Sequence, residues 1–145
     1  MIDVYARTFM IATRLDAVEG VAALSTGQIV ALTSAQAASL SADQVGAITT
    51  ADLAVMETAD IKALSTAALA GLSAGQVGAL TPTQAAALTT AQVHALTSDQ
   101  MAALSTAQVV ALTTAQVAGL SSTDLNALGT NQFAGLTSTQ VAKLT

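Results

Sequence analysis

The sequence predicts an all-α solenoid, a superhelix of very short capped helices with one helix in each eight-residue repeat. Leucine returns at every eighth position from Leu24 to Leu144, and only Ile48 and Met56 replace it. A serine or threonine follows these positions in fourteen of sixteen cases, and glutamine stands three residues later in eleven of fifteen. We call this repeat the octad and number it from the Ser/Thr, so that Ser25 is the first position 1, glutamine is position 4 and leucine is position 8.

Each octad carries its own signal for starting a helix. A Ser or Thr followed three residues later by Gln is the capping-box pattern, in which the hydroxyl and the glutamine each satisfy a backbone N–H at the helix start. The only proline, Pro82, stands at position 2, which is the first helical residue and tolerates proline. Asp43 and Asp99 stand at position 3, in the first turn, where the helix dipole favours negative charge. A helix from about position 2 to position 7 is therefore expected in each octad.

A single continuous helix does not fit this spacing. Eight helical residues advance by about 800°, so successive leucines would rotate by about 80° and form no common face. A β-solenoid is the alternative fold, since Thr and Val suit strands. The abundance of Ala, Leu and Gln favours helices over strands.

Helices of two turns are unstable alone, so the octads must stack on one another. The leucine at position 8 and the aliphatic residue at position 5 are expected to point inward, and the small residue at position 7 indicates close contact between helices. The variable position 6 is expected to face solvent. No period of 16, 24 or 32 residues stands out, so the sequence does not predict how many octads complete one turn of the superhelix.

The predicted domains are an N-terminal capping segment, residues 1–23, and an octapeptide-repeat solenoid, residues 24–145. The first segment does not follow the octad and holds Tyr5 and Phe9, two of the three aromatic residues. Thr13 and Asp16 resemble an N-cap and an N3 acid, with Leu15, Val18 and either Val21 or Ala22 following at helical spacing. Solenoids need such covers for their terminal repeats. The alternative is a docking or assembly segment.

The composition argues against several classes of function. The net charge is −5, and the only basic residues are Arg7, Arg14, Lys62 and Lys143, so nucleic-acid binding is not expected. The absence of cysteine excludes disulfides and thiolate chemistry. The longest apolar run, residues 67–72, is too short to cross a membrane. The N-terminus lacks the long apolar segment of a secretory signal.

No residue is predicted to be catalytic, to bind a cofactor or to bind a metal. His94, the only histidine, stands at the variable position 6 and is expected to be a solvated surface residue. Asp52 and Asp60 are expected to replace glutamine at the third helical position, with Glu57 as an N-cap; the alternative is a local binding patch or cation site. The glutamines at position 4 are expected to complete capping boxes. The alternative is that the amides of successive coils stack and hydrogen-bond, which would stiffen the solenoid or its contacts with partners.

The octads resemble a known class of bacterial sequences. Leu88-Thr-Thr-Ala-Gln-Val-His-Ala-Leu96 and Leu112-Thr-Thr-Ala-Gln-Val-Ala-Gly-Leu120 are similar to the octapeptide arrays of large repetitive exoproteins that are labelled heme-utilisation or adhesion-related. The resemblance covers about residues 24–145 and implies architecture more than function. The heme label transfers to no residue here.

The sequence therefore predicts a non-catalytic structural or adhesive module of a bacterial surface or secreted protein. An extracellular or cell-surface location is expected, with a protein or cell-surface partner. One alternative is a building block that stacks head-to-tail on itself into filaments. Another is an intracellular protein-binding scaffold.

Overall fold

The computed structural model describes residues 18–144, and these residues form sixteen short α-helices and no strand. The all-α prediction is confirmed, and the β-solenoid alternative is wrong for this part of the chain. The helices are α1 (Val18–Ala22), α2 (Thr26–Val30), α3 (Ser34–Ser39), α4 (Ala42–Gly46), α5 (Thr50–Val55), α6 (Thr58–Ala63), α7 (Thr66–Ala70), α8 (Ala74–Ala79), α9 (Pro82–Ala87), α10 (Thr90–His94), α11 (Ser98–Ala103), α12 (Thr106–Ala111), α13 (Thr114–Ala118), α14 (Ser122–Ala127), α15 (Thr130–Ala134) and α16 (Ser138–Val141).

The helices begin where the capping signals predict. Thr81 has extended backbone angles, and its hydroxyl accepts a hydrogen bond from the backbone N–H of Gln84 at 3.2 Å. The Gln84 side chain accepts in return from the backbone N–H of Thr81 at 2.8 Å, which completes the capping box. Pro82 is the first residue of α9, as expected. The chain turns sharply between position 8 of one octad and position 1 of the next, and we call each such turn, together with the last helical turn from position 5 that leads into it, a corner.

Each helix packs against the helix three places further along the chain, from the α1–α4 pair to the α13–α16 pair. Three octads, or 24 residues, therefore complete one coil, and each coil has three helical sides and three corners. The sequence did not predict the number of octads per coil, which is three.

The core is a narrow column of aliphatic side chains. At position 8 the buried residues are Leu24, Leu32, Leu40, Ile48, Met56, Leu64, Leu72, Leu80, Leu88, Leu96, Leu104, Leu112, Leu128 and Leu136. At position 5 they are Ile29, Ala37, Val45, Leu53, Ile61, Leu69, Val77, Ala85, Val93, Met101, Val109 and Val117. Each fully buried Leu, Val, Ile or Met contributes about 1.5–3 kcal/mol. The predicted inward positions are confirmed for these octads.

The inward prediction for position 5 is wrong in the last three octads. Phe133 and Val141 are each 47% exposed, and Leu125 is only partly buried. Val117, one octad earlier, is 0% exposed. The octad that contains Val117 is covered by α16, whereas none of the octads in residues 18–144 stacks on the outer side of α14, α15 or α16. A side chain at position 5 is therefore buried by the coil that follows its own.

Close contact between coils explains the small residues at position 7. A methyl group built on Gly71 would lie 2.4 Å from the carbonyl oxygen of Ala42, in the preceding coil. A methyl group built on Gly135 would meet the Thr106 side chain at 2.5 Å. Both distances are shorter than van der Waals contact, so these two positions have no room for a side chain. The prediction of close helix contact at position 7 is confirmed here.

Only the end of the predicted N-terminal capping segment lies in the described part of the chain. Helix α1 begins at Val18 and packs against α4, as later helices pack against their own partners, and Val21 is buried. The proposed N-cap Thr13 and the acid Asp16 lie outside the described residues, as do Tyr5 and Phe9. The solenoid packing thus extends into the segment that the sequence separates from the array.

Candidate functional site

The glutamine at position 4 makes the most regular polar contacts of the fold. Gln108 is 0% exposed, and its Oε1 accepts from the backbone N–H of Ser105 at 2.6 Å. Its Nε2 donates to the carbonyl oxygens of Leu80 at 2.6 Å and Val77 at 2.9 Å, both at a corner of the preceding coil. One amide group therefore caps its own helix and joins two coils.

The same inter-coil hydrogen bond recurs along the chain. In each case the Nε2 group donates to the carbonyl oxygen of the position-8 residue that precedes it by 28 residues. The donors are Gln76, Gln84, Gln92, Gln100, Gln108, Gln116, Gln132 and Gln140, and the acceptors are Ile48, Met56, Leu64, Leu72, Leu80, Leu88, Leu104 and Leu112. The capping-box prediction is confirmed. The glutamines also join successive coils, but their amides donate to backbone carbonyls of the preceding coil and not to one another.

A sequence model of the ALTTAQ repeat family matches residues 21–50, 53–90, 83–106, 91–123 and 109–145. The chain belongs to the ALTTAQ repeat family. Searches of the curated proteins and of the solved structures found no match.

The letters of the ALTTAQ motif correspond to distinct structural tasks in this chain. In Ala87-Leu-Thr-Thr-Ala-Gln92, Leu88 is buried in the core, Thr89 is the N-cap of α10, and Gln92 forms the inter-coil hydrogen bond. Thr90 is exposed at the first helical position. The motif thus spans a corner, from the end of one helix to the first turn of the next.

Four octads depart from the ALTTAQ motif at position 4, with Asp52, Asp60, Ala68 and Asp124 in place of glutamine. The octad of Asp52 retains a hydroxyl contact, because Thr49 Oγ1 donates to Asp52 Oδ2 at 2.7 Å and accepts from the Asp52 backbone N–H at 3.1 Å. Asp124 completes a capping box with Ser121. The predicted replacement of glutamine by aspartate in helix capping is confirmed for Asp124. The Asp52 side chain contacts the Thr49 hydroxyl but completes no capping box.

The same prediction is wrong for Asp60. Glu57 occupies the N-cap position of α6, as expected, but its side chain makes no capping hydrogen bond. Asp60 Oδ1 instead accepts from the Ser34 hydroxyl at 2.8 Å, in the preceding coil. The physical reason is that Glu57 carries a carboxylate, which cannot donate to Asp60 as a Ser or Thr hydroxyl does. Asp60 thus contacts the neighbouring coil rather than its own N-cap.

The structure places His94 on the surface, as predicted, at the end of α10. Its imidazole lies over Gly119 of the following coil, where a methyl group built on the glycine would come within 2.2 Å of His94 Nε2. Gly119 thereby provides the space for this side chain. In the described residues, no group of three or more His, Cys, Asp or Glu side chains is arranged to hold a metal ion.

A groove crosses the outer surface of three coils beside α6, α9 and α13. It is lined by Thr58, Lys62, Leu88, Thr90 and Thr113 among others. The lining exposes threonine hydroxyl groups, methyl groups and the ammonium group of Lys62 to solvent. None of the helices described in residues 18–144 is long and apolar enough to cross a membrane.

Proposed function

We propose that the chain is a non-catalytic structural module, a stiff spacer with an adhesive surface, in a bacterial surface or secreted protein. The observation that carries the proposal is the buried hydrogen bond from glutamine Nε2 to the corner carbonyl of the preceding coil, as in Gln108 and Leu80. This contact joins consecutive coils over the whole series from Gln76 to Gln140, with one interruption at Asp124.

These contacts suit a spacer because they resist separation of the coils. A buried hydrogen bond of this kind contributes about 1 kcal/mol, and several act side by side at each interface between coils. The aliphatic column adds a larger stabilisation at the same interfaces. Stability is then distributed along the array rather than concentrated in one centre.

The exterior suits repeated weak contacts. Position 2 presents exposed hydroxyl groups along the chain, as at Thr66, Thr90, Thr106 and Thr130. Identical weak sites on a rigid support gain avidity when the partner surface is also repetitive. The resemblance of residues 88–96 and 112–120 to repetitive exoproteins supports the surface location.

Single-molecule stretching tests the spacer. We expect unfolding in steps of about 24 residues, each adding about 80 Å of extended chain, because the coil is the smallest unit with its own contacts. Failure of the whole chain in a single step would contradict a coil-by-coil spacer. Antibody labelling of intact producing cells tests the location, and a signal that appears only after permeabilisation would contradict a surface or secreted protein.

A second candidate function is head-to-tail assembly with further copies of the chain. The coil made by α14, α15 and α16 presents Phe133 and Val141, each 47% exposed, at positions that are buried in earlier coils. Its corner carbonyls at Leu128 and Leu136 receive no glutamine amide from the described residues. At the other end, no inter-coil partner is found among the described residues for Nε2 of Gln28 or Gln36, both half-buried.

These features are complementary between two copies. A second copy stacked in the same register, with its residues 1–17 displaced outward from the column, brings Gln28 and Gln36 over the carbonyls of Leu128 and Leu136. Its α1, α2 and α3 then lie over α14, α15 and α16. Sedimentation across a wide concentration range tests this stacking. We expect oligomers whose size grows with concentration. The variant Phe133→Ser is expected to form smaller oligomers at the same concentration. A monomer at every concentration would contradict assembly, while leaving the spacer proposal unaffected.

A further inference from the structure

Two carboxylate oxygens in the coil made by α5, α6 and α7 are buried without a hydrogen-bond partner among the described residues. They are Oδ1 of Asp52 and Oδ2 of Asp60. The Asp60 side chain is 2% exposed and that of Asp52 is 9% exposed. A buried charged oxygen without a partner is strongly unfavourable, so each of these oxygens needs a neighbour with positive charge or a proton to share.

The octad spacing identifies what these oxygens face. Gln84 Nε2 donates to the carbonyls of Met56 and Leu53, which precede it by 28 and 31 residues. By the same spacing, Asp60 lies over the corner formed by Leu32 and Ile29, and Asp52 lies over the corner formed by Leu24 and Val21. Aspartate has one methylene group fewer than glutamine and, as a carboxylate, has no hydrogen to donate. By this spacing the buried carboxylate oxygen stands near two carbonyl oxygens, and each corner lacks the amide donor that glutamine supplies in other octads. The carbonyls of Ile29 and Val21 accept from the backbone N–H groups of Leu32 and Leu24.

The second oxygen of each carboxylate is already engaged. The Ser34 hydroxyl donates to Asp60 Oδ1 at 2.8 Å, and the Thr49 hydroxyl donates to Asp52 Oδ2 at 2.7 Å. These contacts fix the carboxylates and leave the remaining oxygens directed elsewhere. Lys62 is the only basic residue of α6 and is exposed, so it does not fill the buried space beside Asp60.

We propose that a small hard cation occupies each of these two corners, in the place that glutamine Nε2 takes in other octads. Carboxylate and backbone carbonyl oxygens are the ligands that Na⁺ and Ca²⁺ accept, and the cation balances the buried charge. The Asp60 ligands are Oδ2 and the carbonyl oxygens of Leu32 and Ile29. The Asp52 ligands are Oδ1 and the carbonyl oxygens of Leu24 and Val21. The cation joins the two coils as the amide does elsewhere.

Asp124 provides a matched control within the same chain. It occupies position 4, as Asp52 and Asp60 do, and is 9% exposed. Its Oδ2 accepts from the backbone N–H and the hydroxyl of Ser121 at 2.8 and 2.7 Å, and no buried oxygen of Asp124 lacks a partner. The variant Asp124→Gln therefore removes the same charge at the same octad position, but from a carboxylate that has no buried oxygen without a partner.

Thermal unfolding at fixed ionic strength tests the proposal, with NaCl, KCl or CaCl₂ replacing choline chloride. We expect the midpoint of the wild-type chain to rise with the effective cation, by about 3 °C or more per site when its concentration is about five times the dissociation constant. The double variant Asp52→Gln/Asp60→Gln restores the amides and is expected to lose this dependence. Asp124→Gln is expected to keep it.

Titration calorimetry of the wild-type chain with the effective chloride salt gives a second measurement that needs no variant. We expect two sites per chain, and the identity of the effective salt distinguishes a monovalent from a divalent cation. Equal midpoints in all salts together with no binding heat would overturn the proposal, and a proton or a water molecule would then be the partner of these oxygens. Full cation dependence in the double variant, or its loss in Asp124→Gln, would also overturn it.

Discussion

Gln108 Nε2 lies 2.6 Å from the carbonyl oxygen of Leu80, a residue that precedes it by 28 positions and lies in the previous coil. The same side chain accepts from the backbone N–H of Ser105 in its own coil. A residue that looks like a local helix cap is therefore also a long-range contact, and its removal has consequences beyond its own helix.

Replacing Gln108 by methionine is expected to destabilise the chain by about 2–4 kcal/mol, because buried carbonyl oxygens and one backbone N–H lose their partner. Gln28→Met serves as the control, since the side chain of Gln28 accepts from the Ser25 backbone N–H and has no inter-coil contact in the described residues. Its expected cost is about 1 kcal/mol. Urea unfolding followed by circular dichroism measures both, and equal costs would contradict the inter-coil role.

Replacing two glycines by alanine, one at a time, distinguishes a glycine that close packing requires from one that only lowers helix propensity. At Gly71 the new methyl group would lie 2.4 Å from the Ala42 carbonyl oxygen, so we expect Gly71→Ala to destabilise the chain by about 1–3 kcal/mol. At Gly75 no atom lies within 4 Å of the new methyl group. Gly75→Ala is expected to stabilise the chain by about 0.5–1 kcal/mol, since alanine is the better helix former. Thermal unfolding of the two variants should give shifts of opposite sign, and shifts of the same sign would show that Gly71 is not tightly packed.

Two aliphatic residues of α5 differ in burial and should differ in the cost of truncation. Leu53 is 0% exposed and Val55 is 43% exposed. We expect Leu53→Ala to cost about 2–5 kcal/mol through lost burial and the cavity it leaves. Val55→Ala is expected to stay within about 0.5 kcal/mol. Chemical denaturation of both variants tests the inward direction of position 5.

Deletion of whole or half octads tests the coil architecture. Removal of residues 89–96 leaves every later octad able to stack on the third octad before it, so the helical content per residue should stay unchanged. Removal of residues 89–92 takes away Thr89, Gln92 and one helix start, and is expected to cost about 2–4 kcal/mol more. The stability and circular dichroism of the two variants are compared. If both deletions were tolerated alike, contacts between octads would not depend on their alignment.

Much of the local structure could be predicted from the sequence, because its causes lie within one octad. The capping pair, the proline at the first helical position and the alternation of small and aliphatic residues each act over a few residues. For this reason the helix starts, the inward positions and the small position 7 agree with the structure in the octads around Thr81, Gln84 and Gly71.

The number of octads per coil could not be predicted in the same way. All octads are nearly alike, so stacking on the second, third or fourth neighbour would bury similar side chains. The angle of each corner decides between them, and that angle depends on the backbone at the junction. The 24-residue period is visible only in the structure, where the five-residue helices α1, α4, α7, α10 and α13 begin at Val18, Ala42, Thr66, Thr90 and Thr114; α2 and α15 also have five residues.

The contacts of Asp52 and Asp60 also could not be predicted from the pattern within one octad. Asp60 was expected to act within its own helix, but Glu57 supplies no hydroxyl and Ser34, in another coil, takes that role. The burial of Asp52 and Asp60 depends on the corner of the preceding coil, which lies about one coil earlier in the sequence. The contact between these residues and that corner can be predicted only when the number of residues per coil is known.

The inter-coil amide contact has a direction: Nε2 of each glutamine reaches residues with lower numbers, as Gln140 reaches Leu112. A ribosome therefore releases the acceptors before the donor that needs them. Each new coil can be completed against one that is already folded, and the growing array offers a template at every stage of synthesis. Translation from the N-terminus and the polarity of the hydrogen bonds thus run in the same sense, which favours folding one coil at a time during synthesis.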